Sequence, residues 1–465
     1  MSKAELTLGV GKSIPQFRSI KIRTRGHGDA GTRRVKILPR YLPSASLDLR
    51  QFLSPRLPFP ASPRLLMTTS KSSFNILWVQ VWVLAAVQGA ITLTWLIYNA
   101  YLPQLLTQFG FPASFAIGLL LVENALGAVL EPLMGGLSDQ TRRWVGTRFP
   151  FISVGVILAS ALFIAIPCVV SLIPPTMVMR SLLPITLVAW ALAMTVFRSP
   201  AICLLGMYST PAELPLAVSV VTLVGGFIGA FRPIANKYIL SLGPVLTFAI
   251  GSFVLLGAVA LLRLVNQPET PVDRHNAQIV KFPLQKLALI LGTGFGVAWG
   301  IRFLMDVLGK VLKAQLNADN IDMQMVWIGI AIALANIPAG MFAVKIGNRQ
   351  AMLCGICATI PALLIMVFIG VQIPIIALIV AGFSLIVNGA VPFALGLVPQ
   401  RWAGLGIGTY FGGFAAAMSL FGVIFPQPQT ITPFVGAAAA AFAFFLAGVC
   451  IGVSGISQTP NNAEI

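Results

Sequence analysis

From about residue 71 onward the chain is a succession of apolar runs, each about as long as a bilayer is thick, and that recurrence restricts it to one class of fold. Crossing about 30 Å of hydrocarbon takes about 20 apolar residues in a helix. Inside hydrocarbon every backbone N–H and C=O must be satisfied within its own segment, so runs of this length read as helices. Breaks at Pro, Gly or charge divide the sequence into spans near 76–102, 114–134, 149–171, 181–206, 215–235, 243–265, 286–308, 323–345, 350–371, 373–398, 402–425 and 430–455. The expectation is an all-α membrane protein of about twelve transmembrane helices, with the split across Gln372-Ile-Pro374 the least sharply punctuated. Composition agrees: 57% hydrophobic, 9% charged and a mean hydropathy of +0.89 exclude a soluble globular chain.

Cation placement orients these spans. With the N-terminus inside, the inner loops hold Arg142, Arg143, Arg148, Arg274, Lys281, Lys286, Lys345, Arg349 and Arg401. The outer loops hold Arg180, Lys310 and Lys313, with Lys237 at the edge. The positive-inside bias places both termini in the cytosol, in a plasma (inner) membrane.

Residues 1–70 break the pattern. Residues 1–66 carry thirteen of the 31 Lys and Arg against Glu5, Asp29 and Asp48, and no apolar core of a secretory signal. Three readings compete: an organellar transit peptide, which would put the protein in an organellar membrane; a disordered basic arm; or upstream sequence before a start at Met67. The last is the expectation. The high net charge therefore says little about nucleic acid, since no zinc spacing, RNP-type motif or basic helix accompanies it.

The longest polar stretch of the membrane part, around Pro268, Pro271 and Arg274, lies between spans six and seven. It divides the chain into a six-helix half at 71–265, a cytosolic linker at 266–285, a second six-helix half at 286–456 and a tail at 457–465. The halves share a turn: Gly135-Gly-Leu-Ser-Asp139 after span two, and Gly340 to Arg349 with Lys345 and Gly347 after span eight. Repeated halves are the usual build of secondary transporters, with the solute site between them near midplane.

Two carboxylates lie inside span two. An acid in hydrocarbon costs roughly 2.5–3.5 kcal/mol on insertion scales, so it needs a partner or a task. Glu123 lies deep in the span, next to Asn124; Glu131 is two turns further in, on the same face, with Gly127 between them. Glu123 could change protonation during a proton-coupled cycle or contact solute; a static pair or a locally satisfied carboxyl is the bland alternative. For Glu131, beside Pro132, a structural or gating role is expected. Arg198 in span four cannot be deprotonated, so it needs Glu131, Glu123 or carbonyls. Arg302 and Asp306, one turn apart in span seven, are expected to pair, or to gate or touch solute. Gln88, Thr92, Trp95 and Asn99 form one helical stripe in span one, equally readable as cavity lining or helix glue. Asn336 and Asn388 are weaker candidates, and Arg232 is expected to snorkel outward. In the turn, Gly135 and Gly136 permit a tight bend, while Asp139, Arg142, Arg143 and Arg148 can form state-dependent ion pairs, and Arg349 in the related turn after span eight is a further gating candidate.

Other chemistry lacks its parts. With only His27 and His275, no metal site or hydrolytic triad is expected, and Gly292-Thr-Gly294-Phe-Gly296 follows no strand. Cys354 and Cys357 sit within an apolar helix and are expected to pack. No enzyme activity, cofactor or nucleic-acid partner is expected; the expected partners are a small solute, protons (sodium second) and lipid, with the protein a monomer.

The Gly-x-x-x-Asp turn at 135–139, its degenerate copy after span eight and twelve spans with a central loop resemble the major facilitator superfamily. The longer Pro132-Leu-Met-Gly135-x-x-Ser138-Asp139-x-Thr141-Arg142, with Gly146-x-Arg148-x-Pro150-Phe151, resembles the glycoside–pentoside–hexuronide and sucrose/proton symporter-like branches. So do Arg198-Ser-Pro200, Thr210-Pro211, Gly225-Gly226 and the Trp95 to Pro103 end of span one. Gln140, Thr147 and Tyr208 depart from that pattern, and span one lacks the embedded Asp of several sugar porters. The resemblance implies rocking of two halves, a latch at the 135–148 turn, a substrate-linked role for Arg198, and proton-coupled uptake of a sugar or glycoside. Proton-driven export of an amphipathic solute, and a non-transporting pigment or lipid assembly factor, remain open.

Overall fold

A computed structural model of the chain describes residues 76–112, 114–172, 179–266, 282–318 and 320–456. The basic segment, most of the expected linker and the tail lie outside the described residues. The rest is helical: α1 (Trp78–Gln108), α2 (Ser114–Val145), α3 (Phe149–Leu172), α4 (Leu182–Ile202), α5 (Leu205–Tyr208), α6 (Leu214–Ala230), α7 (Arg232–Ile239), α8 (Pro244–Val265), α9 (Leu284–Leu316), α10 (Asp322–Ile346), α11 (Asn348–Ile369), α12 (Ile373–Leu397), α13 (Ala403–Ile424) and α14 (Pro433–Ile456). Among the described residues, eleven helices are long and apolar enough to cross a membrane, and α6 with the α7 segment makes a twelfth if read as one span bent by 56°. The bend falls at Phe231-Arg232-Pro233, where proline removes a backbone donor.

Breaks elsewhere follow turn chemistry. Gly347 at φ 94° closes α10, and Gly370 at φ 80° closes α11, keeping the division at Gln372-Ile-Pro374. The helices overrun the apolar runs: α1 continues to Gln108 and α2 to Val145, so the Gly135–Asp139 turn expected between spans is helical, and the chain reverses at Gly146 instead. The reason is local: glycine in a helix costs only about 1 kcal/mol relative to alanine, and close packing on α13 repays it.

That packing is built on missing side chains. A Cβ on Gly135 would strike the Gly404 carbonyl, and one on Gly408 would strike the Glu131 carbonyl, so α2 and α13 touch backbone to backbone. α6 and α10 meet similarly at Gly340 against Pro215 and Ser219, and at Gly329 against Ala230. These two pairs join the helices before the expected linker to those after it. In hydrocarbon, where apolar side chains gain nothing by leaving lipid, such close approaches are what hold helices together. Cys354 and Cys357 correct the expectation of packing: both thiols face out of α11.

Candidate functional site

A cavity of about 400 Å³ lies between the two sets of helices. Gln88 and Thr92 from α1, Arg198 and Ile202 from α4, Val218, Val221, Thr222, Gly225 and Gly226 from α6, Ile301 from α9, Ile332 and Asn336 from α10, four residues of α12 between Phe383 and Val391, and Tyr410, Phe411 and Phe414 from α13 line it. The wall is mainly apolar, and Arg198 is its one charged lining residue. Much of its polarity is already committed. Thr92 donates to the Gln88 carbonyl, Thr222 to carbonyls of its own helix, and the Asn336 amide to the Ile332 carbonyl at 3.0 Å.

Arg198 finds its partner in Glu131, not Glu123. Its Nη2 donates to Glu131 Oε1 at 2.6 Å, while Ser199 donates to Oε2 at 2.7 Å. Glu131 is 2% exposed; the Arg198 side chain, at 23%, faces the cavity and lies 4.1 Å over the Phe411 ring. Glu131 sits where Gly408 and Gly412 let α13 close on α2, which explains why a carboxylate this deep needs a guanidinium beside it.

Glu123 belongs to a separate cluster. It is buried and accepts the Tyr98 hydroxyl, and its Oε2 has no partner among the described residues. Tyr98 stacks on Trp190 at 4.4 Å, and Trp95 and Phe163 pack on the same indole. The stripe in α1 thus divides. Gln88 and Thr92 reach the cavity; Trp95 turns to the aromatic cluster; Asn99 is exposed and donates to the Trp95 carbonyl at 2.6 Å. Asn124 is likewise spent on its own helix, at the Leu120 carbonyl.

The Arg302–Asp306 pair is corrected. Asp306 accepts from Lys310 at 2.6 Å, and Lys310 also donates to the Pro428 and Ile431 carbonyls. Lysine wins because its flexible ammonium serves three acceptors at once. Arg302 instead lies 4.9 Å over Phe421, and Arg232 is exposed at the start of α7.

At the end holding most of the basic turn residues, Asp139 spans the interface. It accepts Arg148 at 2.5 Å, the Gly404 N–H at 3.0 Å and the Leu405 N–H at 2.9 Å. The last two are first-turn donors of α13, otherwise orphaned, so a carboxylate there both caps the helix and meets its positive end. Gly135 allows the approach, Gly136 lies beside Leu405, and Arg143 reaches over Trp402 at 5.1 Å. Arg142 is buried in the same turn. Arg349 holds the Ile451 and Gly452 carbonyls of α14. Asn388 crosses between α12 and α6, donating to the Pro215 carbonyl at 3.0 Å and accepting from Thr222. Sequence reasoning missed Tyr98, Ser199, Tyr410 and the phenylalanines of α13. Tyr98 and Ser199 fall inside the Trp95–Pro103 and Arg198-Ser-Pro200 motifs without any sign of their partners, which lie on other helices, and Tyr410 and the phenylalanines carry no signal beyond an apolar helix.

The family model of the Major Facilitator Superfamily matches residues 84–426. Among solved structures, a variant of the E. coli fucose:proton symporter FucP aligns at a TM-score of 0.61 and 12% identity, covering 83% of this chain and 100% of that one. The human organic anion transporter MFSD10 aligns at 0.58 and 14%, covering 81% and 99%. A bacterial homologue of the iron transporter ferroportin aligns at 0.59 and 14%, covering 80% and 98%. At these identities the likeness is one of fold. No curated protein matches the sequence.

Proposed function

The chain belongs to the Major Facilitator Superfamily, and from that premise we propose that it is a proton-driven secondary transporter carrying a small amphipathic solute by alternating access. The observation that carries this reading is the cavity between the helix sets, walled by apolar residues around the Arg198–Glu131 pair, with Asp139 joining α2 to α13 at the basic end. Rocking of one set on the other would exchange the Asp139 contacts for solvent and open the cavity at that end. The basic end is the cytosolic one, both termini are cytosolic, and the protein works as a monomer in the plasma (inner) membrane.

An apolar wall favours a solute with a substantial hydrocarbon surface, because each hydroxyl buried without a partner costs about 1–3 kcal/mol. A sugar or glycoside is the second reading. Gln88 and Thr92 on the wall, and the sugar specificity of the fucose symporter with the same fold, favour it.

Spin labels near Arg143 and Trp402, with a second pair on the opposite end of the bundle, test alternating access in the full chain. Solute should lengthen one distance as it shortens the other. Two fixed distances under every solute and pH tried would leave the assembly-factor reading in front.

A further inference from the structure

Three arginines, Arg198, Arg232 and Arg302, stand on helices that line the cavity or continue from them, and among the described residues only Arg198 has a carboxylate partner. Within the cavity, Arg198 offers its guanidinium to the lumen, and its Nε has no acceptor among the described residues. Away from the Asp139 end, Arg232 opens α7, and Arg302 on α9 lies over the Phe421 ring. Among the described residues the ion pairs are Asp139–Arg148, Glu131–Arg198 and Asp306–Lys310, so neither arginine of that second group is neutralised by a carboxylate. Ile301, next to Arg302, lines the cavity, as do Gly225 and Gly226 of the bent span that leads to Arg232. Cations gathered along a low-dielectric path raise the local concentration of anions.

Building on the transporter reading, we propose that the solute is an organic anion with an apolar body, whose anionic head takes Arg198 from Glu131 while Glu131 accepts one proton. The exchange follows from what surrounds Glu131. From α4 it meets Arg198 and Ser199; from α13 it meets the glycine backbone, with the Tyr410 hydroxyl further along the cavity wall. Once Arg198 turns to the solute, Ser199 alone is left to a carboxylate that is 2% exposed. An ionised carboxylate without a countercharge is not tolerated in an apolar interior, so it takes a proton from the water on the side to which the cavity is open. Release on the other side reverses both steps. One anion and one proton cross together, and no net charge moves. The phenylalanine rings and aliphatic wall receive the body. A cavity of about 400 Å³ has room for about thirteen water-sized units, which suits a two-ring or short-chain anion.

The test titrates 2-naphthalenesulfonate, which stays ionised and does not cross lipid as a neutral acid, into the full chain in lightly buffered detergent. Binding and proton uptake are read together. Wild type should take up about one proton per anion bound, with affinity falling about tenfold per pH unit in the range where free Glu131 is ionised. Glu131→Gln should bind with no proton uptake and a flat pH profile. Arg198→Gln should weaken binding at least tenfold, and Arg198→Lys should restore part of it, which separates loss of charge from misfolding. Binding without proton uptake in wild type, binding unchanged in Arg198→Gln, or no binding of the sulfonate by folded protein overturns the proposal. A panel of methyl glycosides runs alongside. Glycosides carried while the anion is ignored would overturn the anion assignment and leave the transporter reading standing. Neither class bound nor carried would overturn both.

Discussion

Replacing Asp139 by Asn should unlatch the basic end of the bundle. Its carboxylate holds the Gly404 and Leu405 N–H groups of α13 at 3.0 and 2.9 Å while also accepting Arg148. A hydrogen bond to a charged group is worth roughly 1.5–3 kcal/mol, against roughly 0.5–1.5 for a neutral one. The amide removes the charge from both cross-helix bonds and leaves its nitrogen unable to accept either N–H. In the opened state Asp139 keeps Arg148 and water, so less is lost there. The closed state should therefore lose roughly 2–4 kcal/mol relative to the open one, a shift of about 30- to 700-fold at about 1.4 kcal/mol per decade. The assay is alkylation of Ile202→Cys, on the cavity wall, by an impermeant maleimide added at the basic end, with the five native cysteines replaced. Gly404→Val should act in the same direction by driving a side chain into the Gly135 carbonyl. Unchanged alkylation in both variants, in protein that keeps its helical spectrum, would refute the latch.

Further expectations concern the two other polar clusters. Glu123→Gln still accepts the Tyr98 hydroxyl and is not among the residues lining the cavity, so transport and coupling should stay within about threefold of wild type, whereas coupling lost with binding intact would return the proton to Glu123. Tyr98→Phe leaves that carboxyl buried without its donor and should destabilise by about 1–3 kcal/mol, read as a lower midpoint in thermal unfolding. Lys310→Met removes one ion pair and two carbonyl bonds between α9 and the segment before α14; amide exchange at residues 426–432 should speed up by at least tenfold.

What could be read from sequence followed from periodicity and cost. Span length, the all-helical class and the depth of Glu123 and Glu131 come from hydropathy, because hydrocarbon penalises any other arrangement. The Glu131–Arg198 pair was among the expected alternatives, since Arg198 had to find an anion. Partner choice failed where two donors compete for one carboxylate at equal spacing: Asp306 has Arg302 four residues before it and Lys310 four after, and only the fold brings the Pro428 and Ile431 carbonyls to the lysine. The α1 stripe is one helical face, yet it meets the cavity at Gln88 and an aromatic cluster at Trp95, because neighbouring helices change along its length. The role of Gly135 also needed the fold: it reads as a turn residue, and serves instead as the flat surface on which α13 rests.

Proteoliposomes holding the full chain and a trapped pH dye read proton-coupled transport itself. An inward gradient of 2-naphthalenesulfonate should acidify the interior, saturate with concentration, and proceed at the same rate with or without valinomycin and potassium to clamp the voltage. Arg198→Gln should abolish it. No solute-dependent pH change across the anion and glycoside panels, in reconstituted protein shown to be folded, would contradict the account and point to a facilitator fold put to use without transport.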